Sequence, residues 1–370
     1  MKRILFLVNH DVVIYNFRKE LVERLLSDGN EVVISSPYGE RIDLLKELGC
    51  KYVPVKMDRH GKNPLDEMKL ILYYIELIRV VQPDIIFSYT IKPNLYGALA
   101  AAVCKVPIVV NITGLGSAVE NPGKLQKLMI IAYKIAFRKV QTVFVQNEEN
   151  RQFFIDNHIA VDKLKLLPGS GVNLEQFHVL GYPDDKTVEF VFISRIMKEK
   201  GIDQYLDMAK YIRKKYPQTR FHVCGFCEEE YEDILKEYED KGIITYHGLI
   251  MDVREVLAYT HCTVHPSYYP EGISNVLLES AACGRPLIST NRSGCREVIN
   301  DGVNGYIVPQ KDAKALIAAV EKFLQLTNLE RKDMGLAGRK KVEDLFNRDI
   351  VITSYLTEVS LVEKRLGMNK

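Results

Sequence analysis

An α/β fold of two doubly wound halves is what the sequence predicts, and three observations predict it. Short apolar runs alternate with stretches of helical spacing along most of the 370 residues. The alternation pauses once, over 147–185, where Pro168, Gly169, Gly171, Gly181 and Pro183 gather. The length suits two domains better than one.

The elements follow in order. Residues 2–8 form an apolar run of the kind buried on both faces of a parallel sheet. Leu21, Val22, Leu25 and Leu26 then recur at helical spacing, Gly29 stops that helix, and 31–35 starts a second strand. The pattern continues with helix 41–48, strand 51–55, helix 65–81, strand 84–88, helix 94–103, strand 107–112, helix 124–138 and strand 141–146. A short helix, a strand and a connector fill the pause. A second series runs through strand 188–194, helix 203–215, strand 219–224, helix 229–241, strand 243–246, helix 252–257, strand 262–266, helix 274–283, strand 286–289 and helix 313–325. Two helices near 330–343 and 348–365 close the chain. The expected organisation is an N-terminal domain 1–170, a C-terminal domain 171–345, and a terminal segment 346–370 that returns to the first. Strands separated by helices argue for parallel sheets covered on both faces, with ligands beyond the carboxyl ends of the strands.

Composition narrows the function. The chain is 47% hydrophobic and 26% charged, with a net charge of +2, so no nucleic acid or other polyanion is implied as a partner. No apolar run is long enough to span a bilayer and no secretory leader is visible. With seven cysteines, an odd count, a reducing cytoplasm is the simplest compartment. Cys224-Gly225-Phe226-Cys227 invites a zinc or redox reading, but no second pair stands at ligand spacing; a strand end and a loop explain it as well. Asn9-His10-Asp11 replaces any G-x-G-x-x-G after the first strand, and no P-loop or Asp-x-Asp motif occurs. NAD enzymes, P-loop NTPases and a metal held by that short acidic motif are disfavoured.

Two places carry chemistry. Arg195 ends a strand and Lys200 precedes a helix, so two cations and a helix N-terminus can meet a diphosphate; solvated loop charge is the plain alternative. Further on, YPEGISNVLLE (269–279) sets Glu271 in a loop and Glu279 one turn into a helix that begins at Ser274 or Asn275. Two such carboxylates can accept hydrogen bonds from different parts of a hydroxyl-rich ligand, one from a ribose and one from a hexose. Spacing alone does not separate this from an ordinary loop glutamate and an ordinary helix glutamate.

The Glu271/Glu279 pair within HPSYYPEGISNVLLESAACGRPLIST resembles the signature of glycosyltransferase family 4, whose fold is GT-B: two facing Rossmann-like domains with a central cleft. Ser194-Arg195, Lys200-Gly201, GSGVN (169–173) and DGVNG (301–305) stand in the matching order. The segments 14–23, 87–97 and 111–118 resemble a bacterial subgroup that builds polysaccharides, such as capsule, and glycan precursors on lipid diphosphates. The resemblance implies a nucleotide-sugar donor, UDP-linked, transfer with retention, and no metal or other cofactor. It implies that Arg195 and Lys200 neutralise the leaving diphosphate and that Glu279 holds the ribose. Glu271, with the amides of Gly272, Ile273 and Ser274, is implied to bind the donor sugar, and the base to sit near Gly225 and Ile250. N-acetylgalactosamine, N-acetylglucosamine and galactose are the expected donor sugars, in that order.

The N-terminal half departs from the family. Thr113-Gly114 follows the fifth strand where many members carry a histidine, so His10, Asp11, Thr113 and Gly114 become candidates for acceptor contact. The basic excess of the chain lies in this half. Residues 123–139 form an apolar helix edged with lysines and arginine, and Lys62, Lys69 and Arg79 flank another. Such helices suit either a core or an anionic membrane surface; the expectation is peripheral attachment to the inner face of the plasma membrane, where a polyprenyl-diphosphate saccharide is met. Two rivals remain: a UDP-sugar epimerase of the same fold, and a non-catalytic nucleotide-sugar or glycan-binding protein.

Overall fold

The computed structural model describes residues 1–57, 63–116, 119 and 122–367. Two compact units are present, Met1–Ser170 with Asp349–Lys370, and Gly171–Arg348. Lys62, one of the expected flanking cations, lies outside the described residues, as do Ser117 and Ala118.

The first unit is built on seven parallel strands: β1 Arg3–Leu7, β2 Glu31–Ser36, β3 Lys51–Pro54, β4 Ile85–Tyr89, β5 Ile108–Ile112, β6 Thr142–Val145 and β7 Leu164–Leu166. Their order across the sheet is β3-β2-β1-β4-β5-β6-β7. Alternation along β1 explains why so apolar a run is needed. Ile4 and Phe6 enter one core layer and Leu5 and Leu7 the other. The helices are α1 Asp11–Ser27, α2 Arg41–Glu47, α3 Pro64–Val81, α4 Ile91–Cys104, α5 Lys124–Ala136 and α6 Glu148–Asp156.

The second unit has six parallel strands: β8 Val188–Ile193, β9 Thr219–Cys224, β10 Thr245–Tyr246, β11 Cys262–His265, β12 Leu287–Thr290 and β13 Gly305–Val308, ordered β10-β9-β8-β11-β12-β13. Its helices are α7 Ile202–Lys215, α8 Glu232–Asp240, α9 Val253–Leu257, α10 Asn275–Ala282, α11 Ala313–Leu324 and α12 Asn328–Leu345. Strand β13 is absent from the sequence reading. It is four residues long, and the turn 301–304 hides its start; Asp301 fixes it by accepting from the Ile307 amide at 2.8 Å.

The last helix, α13 Arg348–Gly367, belongs to the first unit from Asp349 onward. Val351, Tyr355, Val359 and Val362 recur on one face and join the core beside β1 and β4. Its buried Glu358 accepts from Thr142 Oγ1 (2.8 Å) and pairs with Lys165 (2.6 Å). Asn111 Nδ2 donates to Tyr355 Oη at 2.8 Å.

In each sheet the strand order reverses direction at one point, between β1 and β4 in the first and between β8 and β11 in the second. Connections leave such a point on opposite faces of the sheet, which opens a crevice beyond the strands' carboxyl ends. The segments emerging there are Asn9–His10 and Thr90–Lys92 in one unit, and Ser194–Lys200 and Pro266–Glu271 in the other.

Candidate active site

The second crevice assembles most of the expected donor residues. Strands β8 and β11 are adjacent, so the loops that leave them run side by side. The Tyr268 amide donates to Glu199 O at 2.9 Å and ties the two loops together. Lys200, in the turn before α7, thereby forms an ion pair with Glu271. Lys200 is 7% exposed. Burial, and then the Arg195 cation, push its ammonium down to about 7. Cys295, Glu228 and Glu199 pull the other way, but less strongly.

Arg195 is more open. Its guanidinium pairs with Glu228 at 2.5 Å. Burial opposes its charge, but the Glu228 hydrogen bond and charge prevail and raise it. Tyr269 stands beside both cations: Arg195 Cζ is 5.4 Å and Lys200 Nζ 4.7 Å from its ring centroid. Such contacts are worth about 0.5–2 kcal/mol each. One ring therefore fixes two like charges close together.

Glu271 precedes α10 and Glu279 lies within it, as their spacing suggests. Glu279 is partly buried. Burial raises its carboxyl to about 7, with Arg348 pulling down and Asp252 pushing up. Ile273 and Gly272 are buried in the turn, and Gly272 O packs under Gly294, where an added Cβ would come within 2.5 Å. The Ser274 amide is spent differently from the expectation. It donates to Gly294 O at 2.8 Å, so it is already engaged. Ser274 holds the N-cap position without a side-chain cap bond, and its hydroxyl faces His265 Nε2 at 3.4 Å.

Gly225 follows β9, next to Ser194. Its φ is +141°, and a Cβ there would lie 1.7 Å from Ser194 O. Its amide donates to Gly248 O at 2.7 Å. Ile250 is partly buried against the core layer that holds Ile273, and the segment 247–250 thus borders the same end of the sheet. Cys224 and Cys227 are unbridged thiols, the first at the end of β9.

Sequence reasoning missed the segment 291–297. Arg292 Nε donates to Tyr269 O at 3.3 Å, and Glu297 accepts from the Gly294 amide at 2.7 Å. It also missed His265, which is buried at the end of β11. Burial and then Lys200 push its imidazole down to about 3, so it is neutral. The signals were faint: a histidine closing a strand, and a Ser-Gly after the next one.

The acceptor-side candidates lie in the first unit. His10 caps α1, its Nδ1 accepting from the Val12 amide at 3.2 Å. Asp11 is turned inward, 3% exposed. Its Oδ1 is 2.6 Å from His10 Nδ1 and its Oδ2 accepts from the Arg41 amide at 2.9 Å. The Arg41 bond and this burial turn Asp11 into the local backbone rather than toward solvent. Thr113 and Gly114 follow β5 at the same edge of the sheet, with Thr113 exposed. The structure does not join these four to each other through side-chain hydrogen bonds beyond the His10–Asp11 pair.

Known proteins share this architecture. Residues 175–341 match the family model of glycosyl transferases group 1, and residues 3–147 that of glycosyl transferase 4-like domains. An N,N'-diacetylbacillosaminyl-diphospho-undecaprenol alpha-1,3-N-acetylgalactosaminyltransferase of Campylobacter jejuni is 27% identical, over 96% of this chain and 97% of its own. Among solved structures, a glycosyltransferase from Rickettsia africae superposes with a TM-score of 0.81 at 18% identity, over 98% and 99% of the two chains. Anabaena HepE in complex with UDP and glucose follows at 0.78 and 16%, over 97% and 99%. Fold and matched domains together define a glycosyltransferase of the GT-B class. The chain belongs to glycosyltransferase family 4.

Proposed function

We propose that the protein transfers a hexose or N-acetylhexosamine from a UDP-sugar to a saccharide carried on a polyprenyl diphosphate, in bacterial polysaccharide or glycan synthesis. The observation that carries this is the Arg195, Lys200 and Glu271 cluster at the strand-order reversal of the second unit. As the glycosidic bond to the diphosphate breaks, negative charge grows on the leaving oxygens. Preorganised cations in a partly buried site stabilise that charge far better than water does. Arg195 and Lys200 fill this role, and Tyr269 and Glu271 hold them in position beforehand. With two cations present, the reaction needs no metal, and activity unchanged by EDTA is expected.

Glu279 suits the ribose hydroxyls, and Gly225 with the 247–250 segment suits a flat base, because no side chain at Gly225 stands in its way. Transfer with retention follows if the acceptor hydroxyl attacks from the face the diphosphate leaves, which then takes its proton. The acceptor class is supported by the Campylobacter relative, whose name specifies a diphospho-undecaprenol saccharide, and UDP by the HepE complex.

Peripheral membrane attachment belongs to the same reading. No described helix is long and apolar enough to cross a membrane. However, α5 exposes Leu125, Leu128, Ile131 and Ile135, edged by exposed Lys124, Lys127 and Lys134. On α3, Leu65, Met68 and Leu72 are likewise exposed beside Lys69. Apolar faces rimmed with cations partition to anionic bilayers.

A thermal-shift screen of UDP, GDP and ADP with their sugars tests the donor. Ligands that bind only the folded state raise its melting temperature. UDP-sugars should stabilise the protein most; stabilisation by GDP- or ADP-sugars alone would overturn the assignment.

A further inference from the structure

Away from the cations, three neighbouring strands of the second sheet carry a polar chain that the sequence reading did not join. Glu189 lies on β8, His222 on β9, and His247 directly follows β10. Glu189 Oε2 is 2.7 Å from His222 Nε2, and His222 Nδ1 is 3.0 Å from His247 Nε2. His222 is 8% exposed. His247 is also fastened to the sheet by its amide, which donates to Val223 O at 2.9 Å. The residues on either side of it hold Gly225. Tyr246 Oη donates to Gly225 O at 2.9 Å, and Gly248 O accepts from the Gly225 amide at 2.7 Å. A displacement of His247 therefore pulls on Gly225, which packs against Ser194 beside Arg195.

Hydrogen-bond logic sets what this chain can do. A carboxylate only accepts, so His222 Nε2 carries a proton toward Glu189. With both rings neutral, His222 Nδ1 accepts from His247 Nε2. One added proton is tolerated: charged His222 donates from Nδ1, and His247 accepts with its own proton on Nδ1. A second is not. Two N–H groups then face each other 3.0 Å apart, the bond is lost and the cations repel. Burial, and then His222, hold the His247 imidazole below its ordinary value, with Glu239 pulling weakly the other way. Three further titratable groups lie around the chain and stay neutral at neutral pH. Burial raises the Tyr259 hydroxyl, whose ring meets His222 edge-on, and pushes Cys224 up to about 12. It holds His261, which accepts from the Glu189 amide, below its ordinary value. Arg220, in register with Glu189, is exposed and donates to Pro217 O and Thr219 O.

We propose that His222 and His247 form a latch on the 247–250 segment, closed at neutral pH and released when both rings are protonated, and that the closed latch positions this segment for the nucleotide. This deepens the donor reading and rests on it. His222 is thus a positioning residue, acting on the nucleotide only through His247. The test uses UDP, titrated calorimetrically on the full-length protein, and the Gly225 amide, followed by NMR with isotope-labelled glycine. Between about pH 8 and about pH 5 the unaltered protein loses about tenfold in UDP affinity, an ordinary coupling between two sites. The Gly225 amide moves over the same range, and UDP shifts its midpoint to lower pH, because proton and nucleotide oppose each other. His222→Asn sets an amide oxygen near the place of Nδ1, which accepts from His247 whether that ring is charged or neutral. This variant matches the unaltered protein at about pH 8 and loses much less affinity in acid. His222→Leu binds weakly throughout. The terminal phosphate of UDP takes up a proton in the same range, so the difference between the proteins is what is read. A Gly225 amide that does not respond to pH, equal acid losses in the unaltered and asparagine proteins, or a leucine variant as tight as the unaltered protein overturns the proposal. The Gly225 response of the unaltered protein decides the matter even if a variant fails to fold. Should UDP not bind while the Gly225 amide still titrates, the donor assignment falls and the latch on the segment stands.

Discussion

At Glu279 the role proposed for the carboxylate and the stability of the fold pull in opposite directions. Its folded value of about 7 lies above the ordinary 4.5. The folded state therefore binds the proton more tightly than the unfolded chain. The resulting stability is complete below about 4.5 and is lost as pH rises through about 7. Glu279→Gln removes the buried charge. It should stabilise the protein by about 1–2 kcal/mol at pH 8 and have little effect at pH 5, as read from denaturant melts. UDP binding should weaken in the same variant by about tenfold, the cost of a lost charge-assisted hydrogen bond. Tyr269 offers a second contrast. Tyr269→Phe keeps a ring beside Arg195 and Lys200, and Tyr269→Leu does not. Turnover should fall by about tenfold in the leucine variant and little in the phenylalanine one, consistent with about 1–2 kcal/mol of lost cation–π positioning. Equal losses would show that the hydroxyl, not the ring face, matters.

The helices and strands were legible from periodicity where they were long and buried on both sides. Runs such as 188–194 could be read directly, because a parallel strand covered on both faces is largely apolar. Strand β13 was not legible: four residues that begin at Gly305, directly after the turn 301–304, carry too little pattern. The turn before α10 was legible in its carboxylates and not in its amides. Whether Ser274 N–H is available depends on Gly294, twenty residues away, and only the folded chain brings them together. Asp11 shows the same limit. Its tie to the Arg41 amide crosses from α1 to the start of α2, a contact no local spacing encodes. At this scale Gly225 is a direct probe. With φ +141° and a Cβ that would overlap Ser194 O, Gly225→Ala must push β8 and β9 apart at the Arg195 end. A loss of about 2–4 kcal/mol of stability is expected, together with loss of UDP stabilisation even in the fraction that folds. A variant as stable as the parent would contradict the close approach.

For the molecule as a whole, two sheets of like design carry different groups. Each reverses its strand order once, and each places polar side chains at that point. The second unit gathers cations against a glutamate, which suits a departing diphosphate. The first sets an ion pair, Lys92 with Glu67, beside the end of β4. The charged cluster of the second unit could be picked out in the sequence because its residues fall within two short segments, 194–201 and 269–279. The Glu67–Lys92 ion pair of the first could not, because its members lie on different helices with a strand between them. The most direct test of the account is acceptor-independent release of UDP from a UDP-sugar, measured with saturating donor for the unaltered protein and for Lys200→Ala. The unaltered protein should hydrolyse the donor slowly. In the variant kcat should fall by about 10²–10³-fold, with donor affinity within about threefold, as expected when a charge that acts on the leaving group is removed. Equal rates in the two proteins would contradict the role given to the Lys200–Glu271 pair.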